Sequence, residues 1–331
     1  MEILKNVRFK ELLVQEIESL LKTMNLKKSD PIYHIVWCLI DSKNDGTTKS
    51  SSLSGNLINF RGMDLAIIKI GGFKIGGITN EITYSFVSQN TPAINETWKH
   101  LTTVPHLNQC SFGSAILNNH VYVVGGSYDI SLQEFNHGFG FKYNPIEDKW
   151  LTIASLNQDR CRFSLNVVGK YLIAVGGNTE QDDDVNAFVG VSEHTNFSTA
   201  ERYDPDRDCW EYIARIPEYR VQHSAVSLNS FLYVSGGIDT SGNTLNSFYV
   251  YNSSSDHWNI LPQMFSPRAD HVMLEVNGKI YVCGGWREIN GQRTLINTID
   301  TYDVNTQEWT VVSIIPTPKY HAGITSVCDR I

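Results

Sequence analysis

Short apolar runs recur along the chain from about residue 65 onward, and each ends in a pair of glycines. The stretch from Arg268 to Trp309 shows the pattern in full. An arginine leads into an apolar run, a turn at Asn277-Gly278, and a second apolar run that stops at Gly284-Gly285. Asn-Gly between two apolar runs predicts a β-hairpin, because both residues tolerate positive φ. A variable loop follows, then a strand-like run into Tyr302, a turn, and Trp309. Near the N-terminus the period changes. Leu12, Leu13, Ile17, Leu20, Leu21 and Met24 fall on one helical face. Asp30-Pro31 then reads as an N-cap and first helical residue, opening a second helix that carries Ile32, Ile35, Val36 and Leu39.

The β pattern repeats in register. Glycine pairs stand at Gly71-Gly72, Gly125-Gly126, Gly176-Gly177, Gly236-Gly237 and Gly284-Gly285, spaced by 54, 51, 60 and 48 residues. One tryptophan follows each pair: Trp98, Trp150, Trp210, Trp258 and Trp309. Seven residues before the last four stand Tyr143, Tyr203, Tyr251 and Tyr302, whereas the first module has Thr91. Sixteen residues before the first glycine of the last four pairs stand Gln109, Arg160, Arg220 and Arg268. A period near 50 with four short strands per unit is that of a propeller blade. Gly-Gly, then Tyr, then Trp at these offsets resembles the kelch repeat. The resemblance implies an all-β kelch β-propeller of five recognisable blade modules, preceded by a short α-helical segment. The segment Pro316–Val327 reads as a blade's first strand, with Lys319 in the arginine position. It is expected to pair with the first module, removing the exposed edges of an open array.

Three regions follow: residues 1–45 helical, 46–60 a Ser/Thr/Gly-rich linker, and 61–331 the propeller. The first region, with NVRF, a Leu-rich helix and SDPIYHIVWCLIDSK, resembles the end of the BACK domain of kelch-like proteins. In that family a BTB domain precedes BACK, so the sequence reads as lacking BTB and part of BACK. The net charge of −8 argues against non-specific nucleic-acid binding. No apolar run approaches the ~20 residues of a membrane-spanning helix. The six scattered cysteines form no C-x-x-C pair and read as reduced thiols, so a cytoplasmic location is expected. Cys161, flanked by Arg160 and Arg162, is a secondary redox candidate.

Catalytic signatures are weak. The histidines show no H-x-H or H-E-x-x-H grouping, and no G-x-S-x-G elbow or P-loop occurs. His223 and His271 occupy equivalent positions in neighbouring units, which repeat geometry explains. The chain is expected to be no enzyme and to need no metal or cofactor. In kelch propellers the loops after the glycine pair and the loops entering the next blade share one face. The resemblance therefore implies a pocket lined by Gln109, Arg160, Arg220, Arg268 and Lys319, whose guanidinium forks suit carboxylates. His223, Tyr128, Trp286 and Arg287 complete the candidate set, with Asp129, Arg162, Tyr219 and Tyr320 close by in sequence. On this reading Arg220→Ala with Arg268→Ala weakens partner binding and leaves folding intact. The implied function is substrate recognition for a cullin–RING ubiquitin ligase, with a degron peptide or folded protein as partner. An actin-binding scaffold, or a truncated kelch protein that binds partners without recruiting a ligase, remains the alternative.

Overall fold

The structure is a computed structural model, and it describes residues 66–74, 77–86, 98–106, 109–130, 133–145, 147–179 and 198–316. The expected helical segment, the linker, the acidic run at 181–184 and the closing strand with Lys319 and Tyr320 lie outside the described residues. Two compact units are present. The smaller takes in described residues 66–69, 83–86, 98–101, 145 and 147, and the larger takes in the rest. No helix occurs among the described residues.

The larger unit contains four four-stranded antiparallel sheets, each a blade. The second module pairs Gly113–Leu117, His120–Val124, Gly140–Asn144 and Lys149–Ile153 in sequence order. The third pairs Ser164–Val168, Tyr171–Val175, Ser198–Asp204 and Cys209–Ile216. The fourth pairs Ser224–Leu228, Phe231–Ser235, Phe248–Asn252 and His257–Leu261. The fifth pairs Val272–Val276, Lys279–Cys283, Thr298–Asp303 and Glu308–Ile314. The first module is a three-stranded sheet of Ala66–Lys74, Gly77–Phe86 and Lys99–Thr103. There the first strand runs on through Gly71-Gly72, rather than stopping at them as in the other four modules. The Asn277-Gly278 hairpin forms as its residues dictate, with φ of 52° and 76°.

Apolar side chains fill the seams between blades. Tyr122, Val124, Ile153 and Leu156 of the second module meet Leu165, Leu172, Tyr203 and Trp210 of the third. The third and fourth modules, and the fourth and fifth, share equivalent clusters. First strands of neighbouring blades also touch one another, so they are the innermost strands of the larger unit.

A hydrogen-bonded staple crosses each seam. The indole Nε1 of Trp210 donates to Ala154 O (2.9 Å), Trp258 to Ala214 O (2.7 Å) and Trp309 to Pro262 O (2.8 Å). Each acceptor lies four residues beyond the preceding module's tryptophan. Trp150 donates from the same position to Thr102 Oγ1 (3.1 Å). The aspartates two residues before Trp210 and Trp258 add to the joint. Asp208 Oδ1 accepts from the Tyr203 hydroxyl (2.7 Å) and from Ala154 N (2.9 Å). Asp256 Oδ1 accepts likewise from Tyr251 (2.8 Å) and Ala214 N (2.9 Å). Both aspartates sit at φ 49°, a left-handed conformation that Asp tolerates better than most residues. In the fifth module the position is Gln307, and its counterpart in the preceding blade is Pro262, which has no N–H to donate. The acceptor and its donor are absent together.

The glycine pairs have a steric reason. Gly126 N donates to Arg160 O (2.8 Å), Gly177 N to Arg220 O (3.0 Å) and Gly237 N to Arg268 O (2.9 Å), so the second, third and fourth pairs bond the next blade's entering loop. A Cβ on Gly176 would lie 2.9 Å from Arg220 O, and one on Gly177 would lie 2.5 Å from Cys161 O. The positive φ values, 66° and 91°, exclude other residues further.

Candidate partner-binding face

The arginines that enter each blade turn inward. Arg160, Arg220 and Arg268 are fully buried. Arg160 Nη1 donates to Gly176 O (2.9 Å), Arg220 Nη1 to Gly236 O (2.9 Å) and Arg268 Nη1 to Gly284 O (3.2 Å). Gln109 Nε2 makes the same bond to Gly125 O (2.5 Å). The sixteen-residue offset is thus a contact inside the blade. The second nitrogen of each guanidinium bonds a hydroxyl four residues before the module's tyrosine: Thr199, Ser247 or Thr298. It also pairs with an acid: Glu201 (2.7 Å) for Arg160, Glu218 (2.7 Å) for Arg220, and Asp300 for Arg268.

Charge matches partner module by module. Glu201 and Asp300 both lie two residues before the module's tyrosine. In the fourth module that place is Tyr249, whose ring sits 4.9 Å below the Arg220 guanidinium, and the acid comes from Glu218 instead. In the second it is Phe141, and the entering residue is the neutral Gln109. Burial pulls all three guanidiniums below their ordinary 12.5 against the upward pull of the acids, and Arg220 comes down to about 10. It remains charged at neutral pH, which is why each needs its acid.

These positions correct the expected cationic pocket. Gln109, Arg160, Arg220 and Arg268 bind blade carbonyls and acids and leave no surface for a partner. His223, half-buried, also makes an internal contact. Its Nε2 lies 3.0 Å from Ser164 Oγ in the preceding blade, and burial followed by the Arg220 charge lowers its pKa to about 3. His271 repeats the arrangement on Ser235 Oγ (2.8 Å). Trp286 is only 2% exposed, and its Nε1 donates to Asp270 Oδ2 (2.7 Å). The Arg293 guanidinium covers its ring at 4.3 Å. Cys161, the redox candidate, is also fully buried.

What faces outward begins two residues later. The residue after each buried side chain pairs with the residue after the glycine pair: Cys110 with Ser127, Cys161 with Asn178, Val221 with Ile238, and Ala269 with Trp286. Entering loops and post-glycine loops therefore lie together, as expected. The next residue in each loop is Ser111, Arg162, Gln222 or Asp270, with φ of 54°, 54°, 55° and 49°. Their backbones form a chain from blade to blade. Arg162 N donates to Ser111 O (2.9 Å), Gln222 N to Arg162 O (3.2 Å) and Asp270 N to Gln222 O (3.0 Å). Non-glycine residues held at positive φ cost about 1–3 kcal/mol each and concentrate where a protein meets a ligand. Sequence reading noted Arg162 only as a neighbour and missed Ser111, Gln222 and Asp270. Their fixed offset of two from the Gln/Arg series was the available signal.

Two post-glycine hairpins flank this rim. Ser127–Ile130 pairs with Gln133–Asn136, and Trp286–Ile289 with Gln292–Leu295. On the first, half-buried Tyr128 stacks on exposed Phe135, with ring centroids 5.7 Å apart. His106, His137 and Phe139 continue the cluster, with His137 5.0 Å from His106 and 5.2 Å from Phe139. Phe139 and Phe141 stand where the third module has Thr199 and Glu201, so the aromatic cluster accompanies the loss of the arginine pocket. On the second hairpin Arg287 is half-exposed and Arg293 exposed.

The family profile of the KLHDC2/KLHL20/DRC7 Kelch-repeats domain matches residues 162–330. The chain is a kelch-repeat protein. Among relatives, Kelch-like protein 15 of Danio rerio is 30% identical over 235 residues, covering 65% of this chain and 36% of that protein. Kelch-like protein 24 of Rattus norvegicus is 28% identical over 301 residues, covering 80% of this chain and 47% of that protein. The kelch chain thus spans between about a third and a half of these relatives' lengths. Among solved structures, "Structure of YjhT" superposes with a TM-score of 0.62 at 16% identity, covering 77% of this chain and 83% of that one, and shares the fold. Among the described residues, no helix is long and apolar enough to cross a membrane.

Proposed function

We propose that this kelch propeller captures a protein partner on the rim formed by Ser111, Arg162, Gln222 and Asp270 and the two flanking hairpins. In a longer, BTB-containing form it would deliver that partner to a cullin–RING ubiquitin ligase. One observation carries the reading. Four successive blades hold equivalent residues at positive φ, joined backbone to backbone. The array presents varied side chains on a fixed frame, which suits recognition of an irregular polypeptide better than chemistry on a small molecule. The first hairpin offers aromatic rings and the second offers arginines, residue types enriched at protein interfaces. The degron-adaptor role rests on the resemblance to kelch-like adaptors and on the relatives' names.

The test is Arg162→Glu combined with Gln222→Ala in the tagged chain, compared with wild type by quantitative affinity capture from cells. Specific partners should fall by about tenfold or more, as expected for interface side chains worth above ~1 kcal/mol, while the thermal midpoint stays unchanged. Retention of every wild-type partner by a folded double variant removes the rim as the binding face. Cullin recovered with a BTB-containing form but not with this chain supports the ligase arm.

A further inference from the structure

Asn-Gly occurs twice at hairpin tips, and the two copies differ in one contact. Asn277-Gly278 turns between Val272–Val276 and Lys279–Cys283, and Asn290-Gly291 between Trp286–Ile289 and Gln292–Leu295. The backbones match, with φ of 52° and 76° in the first turn and 52° and 75° in the second. Both asparagines are exposed. In the first turn Gly278 N donates to Glu275 Oε1 at 2.7 Å. In the second, among the described residues, Gly291 N has no acceptor and the Asn290 amide has no partner. Nothing lies within 4 Å of the place a Cβ on either Gly278 or Gly291 would occupy, so the Glu275 bond is the difference between the turns.

We infer that Asn290 is a site of spontaneous deamidation in the folded protein and that Asn277 is protected. The reaction needs the glycine nitrogen as nucleophile. It loses its proton to solvent and attacks the asparagine Cγ. The new N–Cγ bond closes a succinimide as the Cγ–Nδ2 bond breaks and the amide nitrogen leaves as ammonia. Water then opens the ring at either carbonyl, giving aspartate or isoaspartate with no change of oxidation state. Glycine favours the attack because no side chain shields its nitrogen. At Gly278 the N–H is held by a carboxylate, which stabilises the protonated amide and withholds the nucleophile. At Gly291 the N–H faces solvent.

The product changes the charge of the second hairpin. Residues 286–295 carry two arginines and one glutamate, an excess of one positive charge. A carboxylate at position 290 cancels it. On the proposed reading of the rim, this is a slow, irreversible alteration of the binding face; the chemistry at Asn290 does not depend on that reading.

The purified folded chain is incubated in mildly alkaline buffer and sampled over time. Peptide mapping by mass spectrometry, with isoaspartate detection, follows both turns in the same molecules. Asn290 is expected to convert about tenfold faster than Asn277, the factor that one hydrogen bond of ordinary strength withholds. In denaturant the two rates should converge. Glu275→Ala should raise the Asn277 rate toward that of Asn290, with the thermal midpoint recorded to confirm folding. Equal rates in the folded wild type, no conversion at Asn290, or an unmoved Asn277 rate in folded Glu275→Ala would each overturn the inference.

Discussion

Arg268 and Asp300 show how a buried charge is tolerated. Both side chains are essentially fully buried, and Arg268 also reaches Gly284 O and Thr298 Oγ1. Removing one member strands the other in a medium that cannot hydrate it. Arg268→Ala should therefore cost about 3–5 kcal/mol, read from denaturant unfolding. This reverses the expectation that alanine at Arg220 and Arg268 would spare folding. The second module supplies the compensating solution, a Gln109 with a Phe141. Arg268→Gln with Asp300→Phe should recover more than half of the single-variant loss. If the double variant is no better than Arg268→Ala alone, the pairing is not what the charge requires. Sequence spacing located these arginines but not their direction. A cation at a repeated position reads alike whether it points in or out, and the deciding acids, Glu201 and Asp300, stand 41 and 32 residues further on.

At the scale of the blade, the tryptophan is the joint. Trp258 is buried against the third module and donates to Ala214 O, whereas Trp98 of the degenerate first module is 48% exposed. Trp258→Ala should cost about 3–5 kcal/mol by the cavity it leaves, and Trp98→Ala about 0.5 kcal/mol or less. Comparable unfolding midpoints for the two variants would contradict the seam. This level was legible beforehand because it depends on residue types whose large rings and permissive backbones admit few substitutes. In the last four modules the glycine, Tyr and Trp series mark the second, third and fourth strands, whereas in the first module the strand runs on through Gly71-Gly72 to Lys74. The aspartate two residues before Trp150, Trp210 and Trp258 went unread. Its loss in the fifth module matters only beside Pro262, and that link appears once the blades are packed.

Across the molecule, three imidazoles tie stability to acidity. Burial lowers His137 to about 4 and His223 to about 3, and sends His271 well below the ordinary 6.5. The unfolded chain takes up these protons near pH 6.5 and the native one does so only at lower pH, so unfolding gains protons in between. Stability is full above about pH 6.5 and falls as pH drops toward 4 and 3, at up to ~1.4 kcal/mol per pH unit for each histidine. Urea midpoints measured from pH 7.5 to 4 should decline, and His223→Gln should flatten the decline. A variant with the wild-type slope would show that His223 already charges in the native state. None of these histidines was predicted to bear on stability, since a histidine's neighbours across a seam come from a different module.

The backbone link through Ser111, Arg162, Gln222 and Asp270 uses only main-chain N–H and C=O groups. Any amino acid other than proline can keep that link, provided it accepts the left-handed conformation. The link itself is thus indifferent to side-chain chemistry, while Asp270 has a second duty in accepting the Trp286 indole N–H. Randomising the codons for Ser111, Arg162 and Gln222 while keeping Asp270 should yield folded variants with altered tastes, and such a library makes the chain a starting point for engineered affinity reagents.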